Sequence, residues 1–474
     1  MNYSLDTPES LDPNLAIPNV HSNLGLTFAT ASLLWYTFVW SLGIWGCWNA
    51  RKRYRLRPRS PLATAPSSEV PGVSILRPLK GLDVNLYENL ESTFRQEYPN
   101  YEIFLCVDNE HDQALSVVRD LMAKYPHVNA HIAVGGETVG VNPKVNNLMQ
   151  AYRQAKHDIL WVLDSNVMVD PGTLARAVDA LEPPPAISRP VRKRIAVVHH
   201  VPFAFMTEPT LGARIEEAFL NTNHAKMYIA INAVGVDSCV VGKSNLYRKS
   251  DLERVDGTLK PHTPGYDYPY GHGLAAFGRF LAEDNMIAGA LWHELDLRHD
   301  LSCDVARNAV GNMSLSDYIW RRIRWIRVRK HMVLAATLLE PFTESIVAGV
   351  LASIGLQYLI GFPKILFLVL HFIAWLIVDL DVYASLAGHP VPSGLRWWSF
   401  VGAWSLRECL ALPIWSYAIW GSTVSWRGGK YMVLRNGEVE SVGQGGRSGE
   451  RWWRKWFGTK ESEPLYEPLE LSHN

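Results

Sequence analysis

From residue 24 to residue 48 the chain carries no Asp, Glu, Lys or Arg. A helix needs about 20 apolar residues to cross the roughly 30 Å hydrocarbon layer, so this run is long enough to span it. Arg51, Lys52, Arg53, Arg55, Arg57 and Arg59 follow at once. The run is too long for a signal peptide and has no basic segment before it, so it reads as a retained anchor. The positive-inside rule places the basic flank, and the domain behind it, in the cytosol. Further apolar stretches at 345–363, 365–386 and 397–425 crowd the far end. Such a chain has to fold as a soluble middle held between membrane segments in a lipid bilayer.

In that middle, strand and helix patterns alternate. Strands are predicted at 73–76, 101–107, 131–134 and 159–163, and helices at 82–96, 113–124 and 143–155. Alternation of this kind implies an α/β domain, a mostly parallel sheet with helices on both faces. Ligands of such sheets sit beyond the carboxyl ends of the strands, where Asp112 and Asp164 fall. The stretch 60–72 reads as a linker, and 183–194 and 256–273 as surface insertions. Net charge is +0, which gives no basic footprint for a nucleic acid. The five cysteines lack metal spacing and suit a reduced, cytosol-facing domain.

Three separated aspartates and a basic-aromatic run carry the chemistry. Their order, Asp112, Asp164, Asp284, then Arg321, Arg324 and Trp325, resembles the inverting, nucleotide-sugar-dependent glycosyltransferases of the A-type fold. A nucleoside diphosphate needs its charge neutralised, commonly by a metal with a carboxylate ligand. Asp164 is the metal-ligand candidate. Its run is Asp-Ser-Asn, so the second acid of an Asp-x-Asp pair is missing and Asn166 is at best a neutral ligand. An aspartate after a strand also serves as a cap, and the same holds for Asp112 among the acids of its loop. Lys144 stands at a predicted helix start, where a phosphate or uracil contact competes with a plain exposed lysine. Asp284 follows Glu283 in an apolar helix, a setting that favours proton acceptance. Arg321 and Arg324 share a helix face, and guanidinium forks match phosphate oxygens. Trp320 and Trp325 suit the interface between water and lipid. A helix that only seats the domain on anionic lipid is the plainer reading.

Longer runs narrow the resemblance. They are Val73-Ser-Ile-Leu-Arg-Pro-Leu-Lys-Gly81, Glu97-Tyr-Pro-Asn-Tyr-Glu102 and Val139-Gly-Val-Asn-Pro-Lys-Val-Asn-Asn-Leu148. With Ala282-Glu-Asp284 and Ser425-Trp-Arg-Gly-Gly-Lys-Tyr431 they resemble the ceramide glucosyltransferase family in its fungal form, from about 24 to 435. The resemblance implies transfer of glucose from UDP-glucose to the primary hydroxyl of ceramide, with inversion, on the cytosolic face of the Golgi or endoplasmic reticulum. It implies donor binding by Asp112, Lys144 and Asp164, with Mg²⁺ or Mn²⁺ on Asp164. It makes Asp284 the proton acceptor, places Arg321, Arg324 and Trp325 in the last motif, and puts His224 on the acceptor side. A processive polysaccharide synthase of the same fold is the rival, although its last motif usually begins with Gln rather than Arg321. An inactive membrane scaffold is the rival of another class.

The apolar end also carries charge: Asp379 and Asp381 in one stretch, Arg407 and Glu408 in the next. Charges inside a membrane pair up or line a polar cavity, so Arg407 is expected against Asp379 or Asp381. Three C-terminal spans put the tail in the lumen, whereas its Arg427, Lys430, Arg435, Arg451, Arg454 and Lys455 argue for the cytosol. One segment, 345–363 by preference, is therefore expected to be interfacial or re-entrant. The predicted division is a lumenal tail (1–23), an anchor (24–48), a basic linker (49–72) and a cytosolic glycosyltransferase domain (73–312). An interfacial Arg/Trp helix (313–340), a membrane region (341–426) and a polar tail (427–474) complete it.

Overall fold

The computed structural model describes residues 20–182, 193–257, 272–426 and 429–442. Most of both insertions, most of the first tail and the tail's Arg451, Arg454 and Lys455 lie outside these residues.

Eight strands form one sheet: β1 Val73–Pro78, β2 Tyr101–Val107, β3 Ala130–Val134, β4 Ile159–Leu163, β5 Val167–Met168, β6 Ile195–Met206, β7 Ser244–Arg248 and β8 Arg298–Val310. Their order is β3-β2-β1-β4-β7-β6-β8-β5. The first four pair in parallel, and β6 pairs in parallel with β8. β7 runs antiparallel to both its neighbours. Side chains alternate across the pleat. Ile75, Ile103, Leu105 and Trp161 enter one core with Leu90 and Leu121. Leu76, Phe104, Cys106 and Leu160 enter the other with Leu148 and Met149. Burial of both faces explains why these strands read as nearly continuous apolar runs.

β7 fixes the site. In its antiparallel register with β4, Leu163 faces Ser244. The residue after β4, Asp164, therefore meets the residue before β7, Lys243. The Asp164 amide donates to the Lys243 carbonyl at 3.2 Å.

Among the described residues, two helices are long and apolar enough to cross a membrane, Asn23–Tyr54 and Lys364–Ala387. Each turns apolar residues outward: Leu24, Leu34, Phe38 and Ile44 on the first, Ile365, Val369, Ile373 and Ile377 on the second. Leu334–Thr343 and Ser345–Ile360 form a pair bent by 64°. Arg51 and Arg55 pair with Asp381 at 2.5 and 2.8 Å, so the two long helices end side by side. At the opposite end Gly25 packs on the Tyr358 ring. Leu395–Trp420 behaves differently. Arg396 pairs with Glu217 at its start (3.0 Å). Just past its end, Arg327 donates to the Thr423 carbonyl (2.7 Å). Both ends are tied to the soluble body. Ser345–Ile360, which covers most of the stretch expected to be interfacial or re-entrant, belongs to the bent pair, the shape of a broken span or a re-entrant loop.

The expected pairing of Arg407 with Asp379 or Asp381 is not formed. Arg407 lies 2.7 Å from Glu344 and 2.6 Å from Glu408. Asp379 takes Lys226 at 2.7 Å and the Trp404 indole N–H at 2.8 Å. Lys226 also lies over the Trp375 ring. Asp379 and Asp381 found their cations, Lys226 and Arg51, on elements far away in sequence, which adjacency of consecutive helices does not reveal. After Gly421 the chain leaves the helix as β9 Thr423–Trp426, which pairs with β10 Gly429–Val433 and, through it, β11 Val439–Ser441. This small sheet packs on Val141, Leu281 and Val328. Glu438 faces Arg279 at 3.2 Å, and the Val439 amide donates to the Arg279 carbonyl.

Candidate active site

The run 139–148 builds one wall of the site. Asn142 caps the helix Pro143–Gln154 by accepting from the amides of Lys144 and Val145, and Pro143 occupies the first turn, where its missing N–H costs nothing. Asn146 accepts from the amides of Val139 and Gly140, closing the loop on itself. Asn147 donates to the carbonyls of Leu79 and Cys106, tying the ends of β1 and β2 together. Glycine is required at 140, where a Cβ would collide with the Gly278 backbone. Beneath Asp164 lies Arg77, wholly buried, donating to the Val167 and Ser165 carbonyls. Burial lowers its pKa to about 9.

Five charged groups then converge. Lys144 Nζ lies 3.0 Å from Asp164 Oδ1, 2.8 Å from Glu283 Oε1 and 3.4 Å from Asp284 Oδ2. Lys243 Nζ sits 2.8 Å from Asp164 Oδ2 and 3.1 Å from Asn166 Oδ1. Glu283 and Asp284 open the helix Glu283–His293, in the first turn where acids suit the dipole. Glu283 Oε2 accepts from Asn142 at 2.8 Å, and Asp284 Oδ1 from Asn245 at 3.1 Å. Gly242 presses on the Asp284 carboxylate so closely that a Cβ would collide with it.

Burial raises the Asp164 pKa, but Lys144 and Lys243 outweigh it and hold the carboxyl well below its usual range. Burial disfavours the Lys144 charge, but Asp164, Asp284 and Glu283 together raise its pKa well above the ordinary value. Glu283 is pushed up to about 7 by burial and by Asp284, against the pull of Lys144. The arrangement therefore offers fixed cations for an anionic group beside a carboxylate pair that can accept a proton.

Asp164, Lys144 and Asp284, singled out from sequence, come together here. Asp112 does not join them. Its carboxylate accepts from the Gly81 amide at 2.9 and 3.2 Å and from the Ala114 amide at 2.9 Å. In this structure it ties down the Lys80-Gly81 loop and the start of the helix Ala114–Lys124. His224 lies in a ring cluster with Phe219, Tyr228 and Trp325, at centroid distances of 5.2, 5.7 and 6.2 Å. Burial first, then Arg322, Arg329 and Arg407, lower its pKa to about 3, leaving a neutral ring. Arg321 stacks over Trp325 (5.2 Å) and has Glu216 at 2.9 Å, without hydrogen-bond alignment. Arg324 is half-buried on the same helix, Leu315–Met332.

Sequence reasoning missed Lys243, Asn142 and Asn245, and ranked Glu283 behind Asp284. A lysine after glycine, in Val-Gly-Lys-Ser-Asn, was the available signal for Lys243. The metal position expected at Asp164 is not formed. Both carboxylate oxygens and Asn166 Oδ1 face ammonium groups. Among the described residues no trio of His, Cys, Asp or Glu gathers to hold a metal. As held here, these donors do not fit a divalent cation.

The chain is 36% identical to the ceramide glucosyltransferase of Komagataella phaffii, over 90% of this chain and 94% of that one. It is 32% identical to that of Candida albicans (86% and 97%) and 33% identical to that of Pyricularia oryzae (89% and 96%). Among solved structures, a mannosyltransferase from Pyrobaculum calidifontis in complex with GDP-Man and Mn²⁺ superposes with a TM-score of 0.41 at 16% identity, over 81% of this chain and 98% of that one. The model of Glycosyl transferase family 21 matches residues 33–439, and the chain belongs to that family.

Proposed function

We propose that this enzyme transfers glucose from UDP-glucose to the primary hydroxyl of ceramide, giving β-glucosylceramide and UDP. The observation that carries the chemistry is the placement of Asp284 3.4 Å from Lys144, which itself touches Asp164. A group that takes up a proton thus stands beside a group that holds an anion. The likeness to ceramide glucosyltransferases over most of the chain supports the substrates.

In the reading we favour, Lys144 and Lys243 bind the diphosphate through charge-assisted hydrogen bonds, and Arg321 and Arg324 meet its leaving oxygen. The ceramide hydroxyl arrives from the lipid side, past Trp325 and the neutral His224. Its oxygen bonds to the anomeric carbon as the bond to UDP breaks, and its proton goes to Asp284. A single displacement inverts the centre. Asp284 is preferred over Glu283 because its side chain is 15% exposed against 5%. Glu283 is also held more closely, by Lys144 and Asn142 at 2.8 Å each, than Asp284, which has Lys144 at 3.4 Å and Asn245 at 3.1 Å.

The basic run at 51–59 supports a cytosolic catalytic domain on the Golgi or endoplasmic reticulum. The anchor, 345–360 and 364–387 cross in this reading, while 395–420 stays on the catalytic side and returns the tail to the cytosol.

Membranes given labelled UDP-glucose and ceramide should form a single-sugar lipid. A polymer would instead point to a synthase, and no product to a scaffold.

A further inference from the structure

The Asp-Ser-Asn run at 164–166 lacks the second acid of a metal-binding pair, yet its gap is filled. Lys243 Nζ stands between Asp164 Oδ2 and Asn166 Oδ1, at 2.8 and 3.1 Å. These are ammonium distances; Mg²⁺ or Ca²⁺ would draw oxygens to about 2.0–2.6 Å. We propose that Lys243 is the resident cation of the donor site, holding the position a divalent ion takes in an Asp-x-Asp pair and binding the diphosphate itself.

Three further observations support this role. Lys243 is fixed at both ends: its carbonyl accepts from the Asp164 amide, and its own amide donates to the Val241 carbonyl at 2.9 Å. Its side chain is only 14% exposed. The acid at 164 already has Lys144 on its other oxygen. One carboxylate between two ammonium groups leaves positive charge for an anion, and a second acid at 166 would have cancelled it.

The inference rests on the nucleotide-sugar reading above, and the test separates the two. The full chain in lipid nanodiscs is titrated with UDP, in EDTA and in Mn²⁺, for the wild type, Lys243→Met and Lys243→Arg. Mn²⁺ binding without nucleotide is followed by electron paramagnetic resonance. Wild type should bind UDP about equally well, within about threefold, in either buffer. Lys243→Met should lose about 10–100-fold in EDTA, the worth of a charged hydrogen bond, and recover it in Mn²⁺. The same variant should bind Mn²⁺ at least about tenfold more tightly than wild type, once the ammonium no longer competes for Asp164. Lys243→Arg should stay metal-independent. Wild-type UDP binding that collapses in EDTA would overturn the proposal, and this arm needs no variant to fold. A Lys243→Met loss that Mn²⁺ does not restore would also overturn it, since a lysine that only props Asp164 gives that result. If wild type binds UDP in neither buffer, the nucleotide-sugar reading falls first and takes this one with it.

Discussion

Replacing Asp284 by Asn separates proton acceptance from binding. The asparagine oxygen can still accept from Asn245, as Asp284 Oδ1 does at 3.1 Å. Its amide would turn a donor toward Lys144. Lys144 need not move, because Asp164 at 3.0 Å and Glu283 at 2.8 Å still hold it. The donor cradle therefore survives, and UDP affinity should stay within about threefold of wild type. Turnover should not survive, since the amide has no basicity. Loss of general-base assistance is worth about 10²–10⁴-fold, or roughly 3–5 kcal/mol of barrier. The assay is single-turnover formation of labelled glucosylceramide at saturating ceramide, with UDP affinity measured on the same preparation. Turnover within tenfold of wild type would refute the argument and transfer the role to Glu283. A parallel collapse of UDP affinity would show that the substitution damaged the cradle instead.

Two further outcomes follow from the same geometry. Glu283 has its pKa pushed up to about 7 from 4.5, so the native state holds a proton there that the unfolded chain releases. Its stabilising contribution is complete below about pH 4.5 and is lost as pH rises through about 7; thermal melting should fall across that window and flatten in Glu283→Gln, and an unchanged slope in the variant would remove Glu283 as the source. In sealed microsomes, protease should reach both the 73–312 domain and an epitope tag at the C-terminus, given that both ends of 395–420 are tied to the soluble body; a protected tag would require that helix to cross.

Much of the sheet was legible, because its strands are short apolar runs between turn residues. The predicted strands at 101–107 and 159–163 match β2 and β4 residue for residue. The helix predicted at 82–96 shortens to Leu86–Phe94. Asp83 is drawn into a hydrogen bond with Ser165, and Asn85 takes a left-handed φ of 57°, so no helical turn can begin before Leu86. The site was only half legible, for a physical reason. Asp164 announces itself by ending a strand. Its partner Lys243 arrives on an antiparallel strand from far along the chain, and no local pattern encodes that register. Lys144 could be read as a phosphate or uracil contact or as an exposed lysine, but not as the partner of three acids, because those lie elsewhere in the sequence. The same blindness mispaired Arg407: short-range adjacency was assumed where tertiary packing chose Glu344.

The small sheet of β9, β10 and β11 has a consequence for biogenesis. Its last strand pins Arg279 and so braces the loop that leads into Glu283 and Asp284. That brace is encoded after the apolar helices, whereas the loop it holds is encoded before them. A ribosome making this chain must therefore deliver every membrane segment before the loop receives its support. The order of synthesis thus leaves the candidate site without this brace until all the described apolar helices have been made.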